Sequence, residues 1–366
     1  MRKFIFVLLA CSFILCGCRD KEKFIEEENE MSQTIYYYYN QLTNKEKEVY
    51  DVFLNNLKSL KKEFDVPTSD TAIVRRVCEV ILYDHPEIFW FSGACNQMIY
   101  KNHITIEPDY SYSSYEVTKL KKQIDNNISP LISQIQYLSD YEKVKTVYEY
   151  VVKTVDYVDG AKDNQTIVSS LIYKKSVCAG YSRALQYILQ KAGMEVLYVP
   201  GNVSNKGAHA WNIVKINGSY YQVDVTFGDR DSNGKNEDLP KELEVNYTYL
   251  CMADQDMLKN RVIQTSVKVP KCTKSDLNYY ALNHLLQASF NESKLKESIK
   301  TSIYSGKNYW QAQFKNYSDY SLALSAIKNN MFTNVVLDYL VEKKGIYSVS
   351  STYIHDKDYY VLTCWY

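Results

Sequence analysis

Cys178, His209 and Asp224 are the side chains of this 366-residue chain whose types and placement could do chemistry together. A thiolate is a strong nucleophile, an imidazole takes and returns a proton near neutral pH, and a carboxylate can fix which imidazole nitrogen stays free. Such a set attacks a carbonyl carbon and forms a thioester with no metal or organic cofactor, and none is expected here.

To act, the three must meet. Cys178 opens the segment Cys-Ala-Gly-Tyr-Ser-Arg-Ala-Leu185, and Leu185, Ile188, Leu189 and Ala192 continue at i, i+3, i+4 and i+7. This spacing predicts a helix that ends at Gly193, with the thiol in its first turn, where free N–H groups and the helix dipole favour an anion. Strands follow at 196–199, 208–216 and 219–225, the last two joined by Asn217-Gly218, a strong signal for a two-residue hairpin turn. If the turn is tight, Ile216 faces Ser219 and the ladder brings Trp211 opposite Asp224. His209 then lies on the same face one diagonal step away, roughly 7 Å or less between Cβ atoms. A cysteine taken singly is more often a small buried apolar side chain, so the joint placement carries the reading.

The segments Lys-Ser-Val-Cys178-Ala-Gly-Tyr-Ser-Arg-Ala-Leu, His209-Ala-Trp-Asn, Tyr-Gln-Val-Asp224-Val-Thr and Asn246-Tyr-Thr-Tyr-Leu before Asp254, taken together, resemble the transglutaminase-like superfamily, relatives of the papain-like thiol enzymes. The resemblance covers about residues 140–265. Asp84-His-Pro-Glu-Ile-Phe-Trp90 and Ser139-Asp-Tyr-Glu142 look like segments of larger bacterial secreted members. It implies an α+β fold whose Cys-bearing helix packs on an antiparallel sheet, and a Cys178–His209–Asp224 triad acting on peptide or protein amide bonds. The backbone N–H of Cys178 would belong to the oxyanion hole, with Gln165 or Tyr157 as the second donor by position. Trp211 would shield the ion pair or line the acyl groove. Hydrolysis by water is the first expectation. The alternatives are transfer to an amine, as in a protein-glutamine transglutaminase, or a non-catalytic peptide-binding or envelope-organising protein of the same fold.

The ends of the chain set its address and its support. Arg2 and Lys3 precede an apolar run over 4–17, too short to span a bilayer comfortably but suited to a signal peptide. It closes with Leu15-Cys16-Gly17-Cys18, which resembles the bacterial lipobox and makes Cys18 the lipidation candidate. Residues 19–32 carry nine charged side chains and read as a solvated tether. The expected organisation is a lipoprotein signal peptide at 1–17, the lipidated cysteine and tether at 18–32, a helical N-terminal lobe at 33–138, the catalytic domain at 139–265 and a small α+β domain at 266–366. The expected location is outside the cytoplasm, anchored to a bacterial membrane through lipid alone. Thr43 with Glu46, and Ser139 with Glu142, form capping boxes ahead of apolar residues at helical spacing. A helix beginning near Asp70 should stop before Pro86.

The remaining features exclude more than they propose. With 43 basic and 43 acidic side chains, no global field attracts nucleic acid or anionic lipid, and the expected partner is a peptide substrate met by a monomer. The 35 tyrosines read as packing with wet hydroxyls. Cys78, Cys95, Cys178, Cys251, Cys272 and Cys364 contain no C-x-x-C pair, so they are not a zinc framework, and they leave room for one or two disulfides. Asp229-Arg-Asp-Ser-Asn-Gly234 matches the first half of a calcium loop, but Pro240 stands at the twelfth position where a Glu ligand belongs, so a polar turn is expected and no metal. His85, His103, His284 and His355 read as structural.

Overall fold

A computed structural model describes residues 36–230 and 239–366. The signal-peptide, lipobox and tether segments, and most of the half calcium loop, lie outside the described residues.

Three Ser/Thr-x-x-Glu boxes start three helices. Thr43 with Glu46, Ser113 with Glu116 and Ser139 with Glu142 each close reciprocal bonds at the N-termini of α1 (Asn44–Lys58), α3 (Ser114–Ile135) and α4 (Asp140–Thr154). Each box satisfies backbone N–H groups that the first turn leaves without a partner. Between the first two boxes come β1 (Phe64–Val66), α2 (Thr71–Asp84), β2 (Phe91–Ile99) and β3 (Ile104–Tyr110). The strands form an antiparallel sheet of order β1-β3-β2, so the N-terminal region is α+β and not only helical. α2 ends at Asp84, two residues before Pro86, as expected.

α3 has Pro130 inside it, which a sequence reading takes as a breaker. The helix continues because the Ser129 hydroxyl donates to the Asn126 carbonyl (3.3 Å), the acceptor that Pro130 lacks an N–H to satisfy. Val117, Leu120, Ile124, Ile128, Leu131 and Ile135 then form an uninterrupted buried stripe.

The centre of the molecule is α5 (Cys178–Lys191) packed on an antiparallel sheet of β6 (Val196–Val203), β7 (Gly207–Ile216), β8 (Ser219–Val223) and β9 (Arg261–Ile263), ordered β8-β7-β6-β9. The β7–β8 ladder runs from Ile216↔Ser219 to Asn212↔Val223, the register that a tight Asn217-Gly218 turn requires. Ahead of α5, the two-residue strands β4 (Asp156–Tyr157) and β5 (Lys175–Ser176) pair in parallel. They flank a π-helical turn over Ser169–Tyr173.

One continuous core runs from Tyr38 to Tyr280, so the N-terminal helices and the central sheet share their apolar interior. A second core belongs to the C-terminal region: α6 (Glu292–Tyr304), α7 (Tyr317–Lys328) and α8 (Met331–Lys344) pack with a sheet ordered β10-β11-β13-β12. Its strands are β10 (Leu286–Gln287), β11 (Tyr309–Phe314), β12 (Thr352–Asp356) and β13 (Val361–Trp365). Two residues from the β12–β13 end, Tyr359 and Val361, belong to the first core and join the two. Helices and antiparallel sheets together make the chain α+β.

Gly201 explains how closely the layers meet. It pairs with His209 on one side and Ile263 on the other. A Cβ there would stand 2.3 Å from the Val262 carbonyl oxygen and 2.6 Å from the Trp211 ring. Backbone on one side and a fully buried indole on the other leave nothing to yield. Gly201→Ala is therefore expected to destabilise the fold by about 1–3 kcal/mol, seen as a lower thermal midpoint in calorimetry. An unchanged midpoint would contradict this packing.

Candidate thiol site

Cys178 is the first residue of α5 and is partly exposed. Val177, at the N-cap, makes no side-chain capping bond. At this position the Cys178 N–H has no carbonyl within its own helix to bond. The helix start is held from below: the Ser169 and Ser176 hydroxyls bond each other at 2.6 Å, and Ser176 also donates to the Asn164 carbonyl at 2.9 Å. Gly180 packs directly over this pair, where any Cβ would lie 1.9 Å from the Ser176 hydroxyl.

His209 projects from β7 toward that helix end. Its Nε2 is 2.8 Å from Asp224 Oδ2, which leaves Nδ1 free, and the Cys178 sulfur is near enough to favour the protonated ring. Trp211 stacks beside the imidazole, with centroids 6.0 Å apart, and Phe227 meets it edge-on at 5.1 Å. Trp211 is itself fully buried and donates its indole N–H to Gln222. The expectation that it lines an acyl groove is therefore corrected: it backs the ring and keeps water from that face.

Asp224 follows β8 directly. Its backbone N–H leaves the ladder and donates to the Tyr249 carbonyl at 3.0 Å, turning the carboxylate inward. The side chain is completely buried. Oδ1 accepts the Phe227 N–H, while Oδ2 accepts both His209 and the guanidinium of Arg261 (2.9 Å). Burial would favour its neutral form, but the imidazole, the guanidinium and the Phe227 N–H outweigh that and hold the carboxyl well below its ordinary range. For His209 the largest influence is again burial, which disfavours the cation; Asp224 first and Cys178 second reverse it and raise the ring to about 9. At neutral pH the imidazole is thereby a cation beside the sulfur.

Tyr157 and Tyr198 flank Cys178. Burial and then the nearby sulfur raise the Tyr157 phenol. Tyr198 packs with Ala179, Ala210 and Tyr83, under the Arg183 guanidinium at 4.4 Å. Gln165 is exposed, in a turn whose Asn164 carbonyl accepts the Val177 N–H, and no bond links its side chain to the thiol. Of the expected oxyanion donors, the structure brings Tyr157 close to Cys178 and leaves Gln165 at the surface.

The other features of the sequence resolve into packing. His85 bonds the Tyr50 hydroxyl and Glu87, and His355 bonds the Tyr320 hydroxyl. His103 stacks on Tyr100. The six described cysteines are free thiols. Asp229, the first residue of the half calcium loop, accepts from the buried Tyr181 hydroxyl at 2.9 Å. Arg261 was absent from the sequence reading: it stands 37 residues from Asp224 in a short strand, and nothing local distinguishes it from a surface arginine.

Residues 131–225 match the Transglutaminase-like superfamily. This segment is a transglutaminase-like domain. The match contains Cys178, His209 and Asp224 and ends before Arg261. The kyphoscoliosis peptidase of Mus musculus is 28% identical over 132 residues, covering 32% of this chain and 20% of the peptidase. That of Homo sapiens is 27% identical over 124 residues, covering 30% and 18%. The chain thus spans about a fifth of the length of the curated relatives it matches. A crystal structure of a TGase superposes over 41% of this chain and 49% of its own, with 13% identity and a TM-score of 0.29. No helix among the described residues of the chain is long and apolar enough to cross a membrane.

In the transglutaminase-like domain, Asp224 is what keeps His209 protonated against burial. Asp224→Asn should drop the His209 midpoint from about 9 toward or below the ordinary 6.5, because burial and the Arg261 charge are then opposed by the Cys178 sulfur alone. Ring-labelled histidine NMR over a pH series reads this, and a midpoint that stays near 9 would count against the assignment.

Proposed function

We propose that the protein is a thiol enzyme that cleaves peptide or protein amide bonds through Cys178, His209 and Asp224. The observation that carries this reading is the single chain of contacts from a partly exposed Cys178 at a helix start, through His209, to a fully buried carboxylate. His209, already protonated, holds Cys178 as a thiolate, and the sulfur attacks the amide carbonyl. A C–S bond forms, the carbonyl oxygen gains the charge, and the Cys178 backbone N–H is placed to receive it. When the tetrahedral species collapses, the C–N bond breaks and His209 returns its proton to the leaving amine. Water then attacks the thioester with the now neutral His209 as base; the C–S bond breaks, the acid is released and the thiolate–imidazolium pair is restored. Asp224 holds Nε2 and stabilises the imidazolium throughout.

The peptidases among the curated relatives favour water as the acyl acceptor. Transfer to a primary amine uses the same first half-reaction and is separated by amine incorporation into a glutaminyl substrate, which would overturn hydrolysis as the main reaction. We place the enzyme outside the cytoplasm as a monomer, tethered through a lipid on Cys18, because the sequence carries a lipobox-like end to an apolar leader. Fatty-acid labelling that survives Cys18→Ser would refute the anchor.

A thiol-directed probe tests the central claim without a known substrate. Iodoacetamide should label Cys178 selectively at pH 7. His209→Ala should slow that labelling by ~10-fold or more, by removing the cation beside the sulfur. Equal labelling in the two proteins would refute the reading, and Cys178→Ala should abolish any amide hydrolysis.

A further inference from the structure

One oxygen of Asp224 serves two cations. Oδ2 accepts His209 Nε2 at 2.8 Å and Arg261 Nη2 at 2.9 Å, and the arginine and carboxylate side chains are both fully buried. The guanidinium is seated from the opposite side. Its Nη1 bonds Asn260 Oδ1 at 2.6 Å and the Tyr359 hydroxyl at 3.4 Å, and its plane lies over Phe227 and Tyr249. Tyr359 sits in the turn between β12 and β13, so the C-terminal hairpin forms one wall of this arrangement. Burying the guanidinium costs desolvation free energy that only close partners can offset, and here those are Asp224, Asn260 and Tyr359.

We propose that Arg261 is a positioning residue of the thiol site: it shares Asp224 with His209, so that the carboxylate does not hold the imidazole proton too tightly to return it, and the C-terminal hairpin seats it through Tyr359. This rests on the reading of Cys178, His209 and Asp224 as the reactive set. The physical reason is direct. An imidazolium paired with an undivided buried carboxylate is a poor acid for the leaving amine, and a second positive charge on the same oxygen weakens that hold. The charged and titratable groups around the ring are Cys178 from α5, Asp224 after β8, Arg261 from β9 and Lys206, whose ammonium lies over Phe227 at 4.4 Å. Tyr148 and Tyr249 face Asp224, and burial keeps both phenols protonated. Among these only Arg261 is a buried cation in contact with the carboxylate, so removing it must make the His209 proton harder to lose.

The test is ring-labelled histidine NMR titration of the full chain, run beside iodoacetamide labelling of Cys178. Arg261→Gln, which keeps an N–H for Asp224 but no charge, should move the His209 midpoint up by about one pH unit or more. Arg261→Lys keeps the charge and should leave the midpoint near the wild-type value. A midpoint unmoved or lowered in Arg261→Gln overturns the proposal. An upward shift as large in Arg261→Lys also overturns it, because lost geometry and not lost charge would then be responsible. Should Arg261→Gln not fold, Arg261→Met, which also removes the charge while keeping an unbranched chain, is read by the same criterion. If labelling of Cys178 ignores His209→Ala, the underlying thiol-enzyme reading fails. If labelling depends on His209 but the midpoint ignores Arg261, only the present inference fails.

Discussion

A carboxylate with no contact with water constrains everything around Asp224. Taking such an ion out of solvent costs several kcal/mol unless its oxygens are filled, and here they are filled from three directions by an imidazole, a guanidinium and a backbone N–H. Each donor comes from a different part of the chain. His209 is on β7, Arg261 on β9, and Phe227 lies in the turn that Asp224 itself begins. The sheet must therefore hold these segments in register for the ion to remain buried, and the buried ion in turn gives the candidate site one defined geometry.

The aromatic side chains supply the dry surroundings. Trp211 and Phe227 pack against His209, Tyr249 and Phe227, adjacent to each other, both pack against the Arg261 guanidinium, and Tyr148 fills the space over Gly228. The tyrosine richness of the chain has a consistent use. Rings are buried while hydroxyls reach carbonyls or carboxylates, as in Tyr38 to the Tyr198 carbonyl, Tyr148 to the Asn246 carbonyl, Tyr220 to Glu195 and Tyr247 to Glu149. Each hydroxyl lets a large apolar surface pack without leaving a polar atom unsatisfied. The C-terminal region joins this network through Tyr359, which meets Tyr249 edge-on and reaches Arg261. It has a core of its own, yet it also completes the lining behind the thiol site.

Local chemistry was legible in the sequence and long-range contact was not. The boxes at Thr43 and Ser139, the stop before Pro86 and the Asn217-Gly218 turn each act over a few residues, so their residue types predict them directly. The hairpin register extends that reach because strand pairing is periodic, which is how His209 and Asp224 could be set on one face. Helix α3 was hidden because the Ser129 hydroxyl that compensates Pro130 is visible only once the helix exists. Helix α8 was hidden because it starts at a left-handed Asn330 without a side-chain cap, and its Val335-Val336 pair suits a strand as well as a helix.

What the sequence by itself determined was the identity and order of the candidate groups, a thiol at a helix start and a histidine and a carboxylate on neighbouring strands, because these follow from local propensity and the two-residue repeat of a strand. Tertiary structure alone decided that Asp224 is fully buried, that Trp211 backs the imidazole instead of facing outward, and that Arg261 and Tyr359 stand behind the carboxylate. Those facts depend on which distant segments close over one another, and burial, the quantity that sets the charge of His209, is a property of the assembled layers and not of any segment.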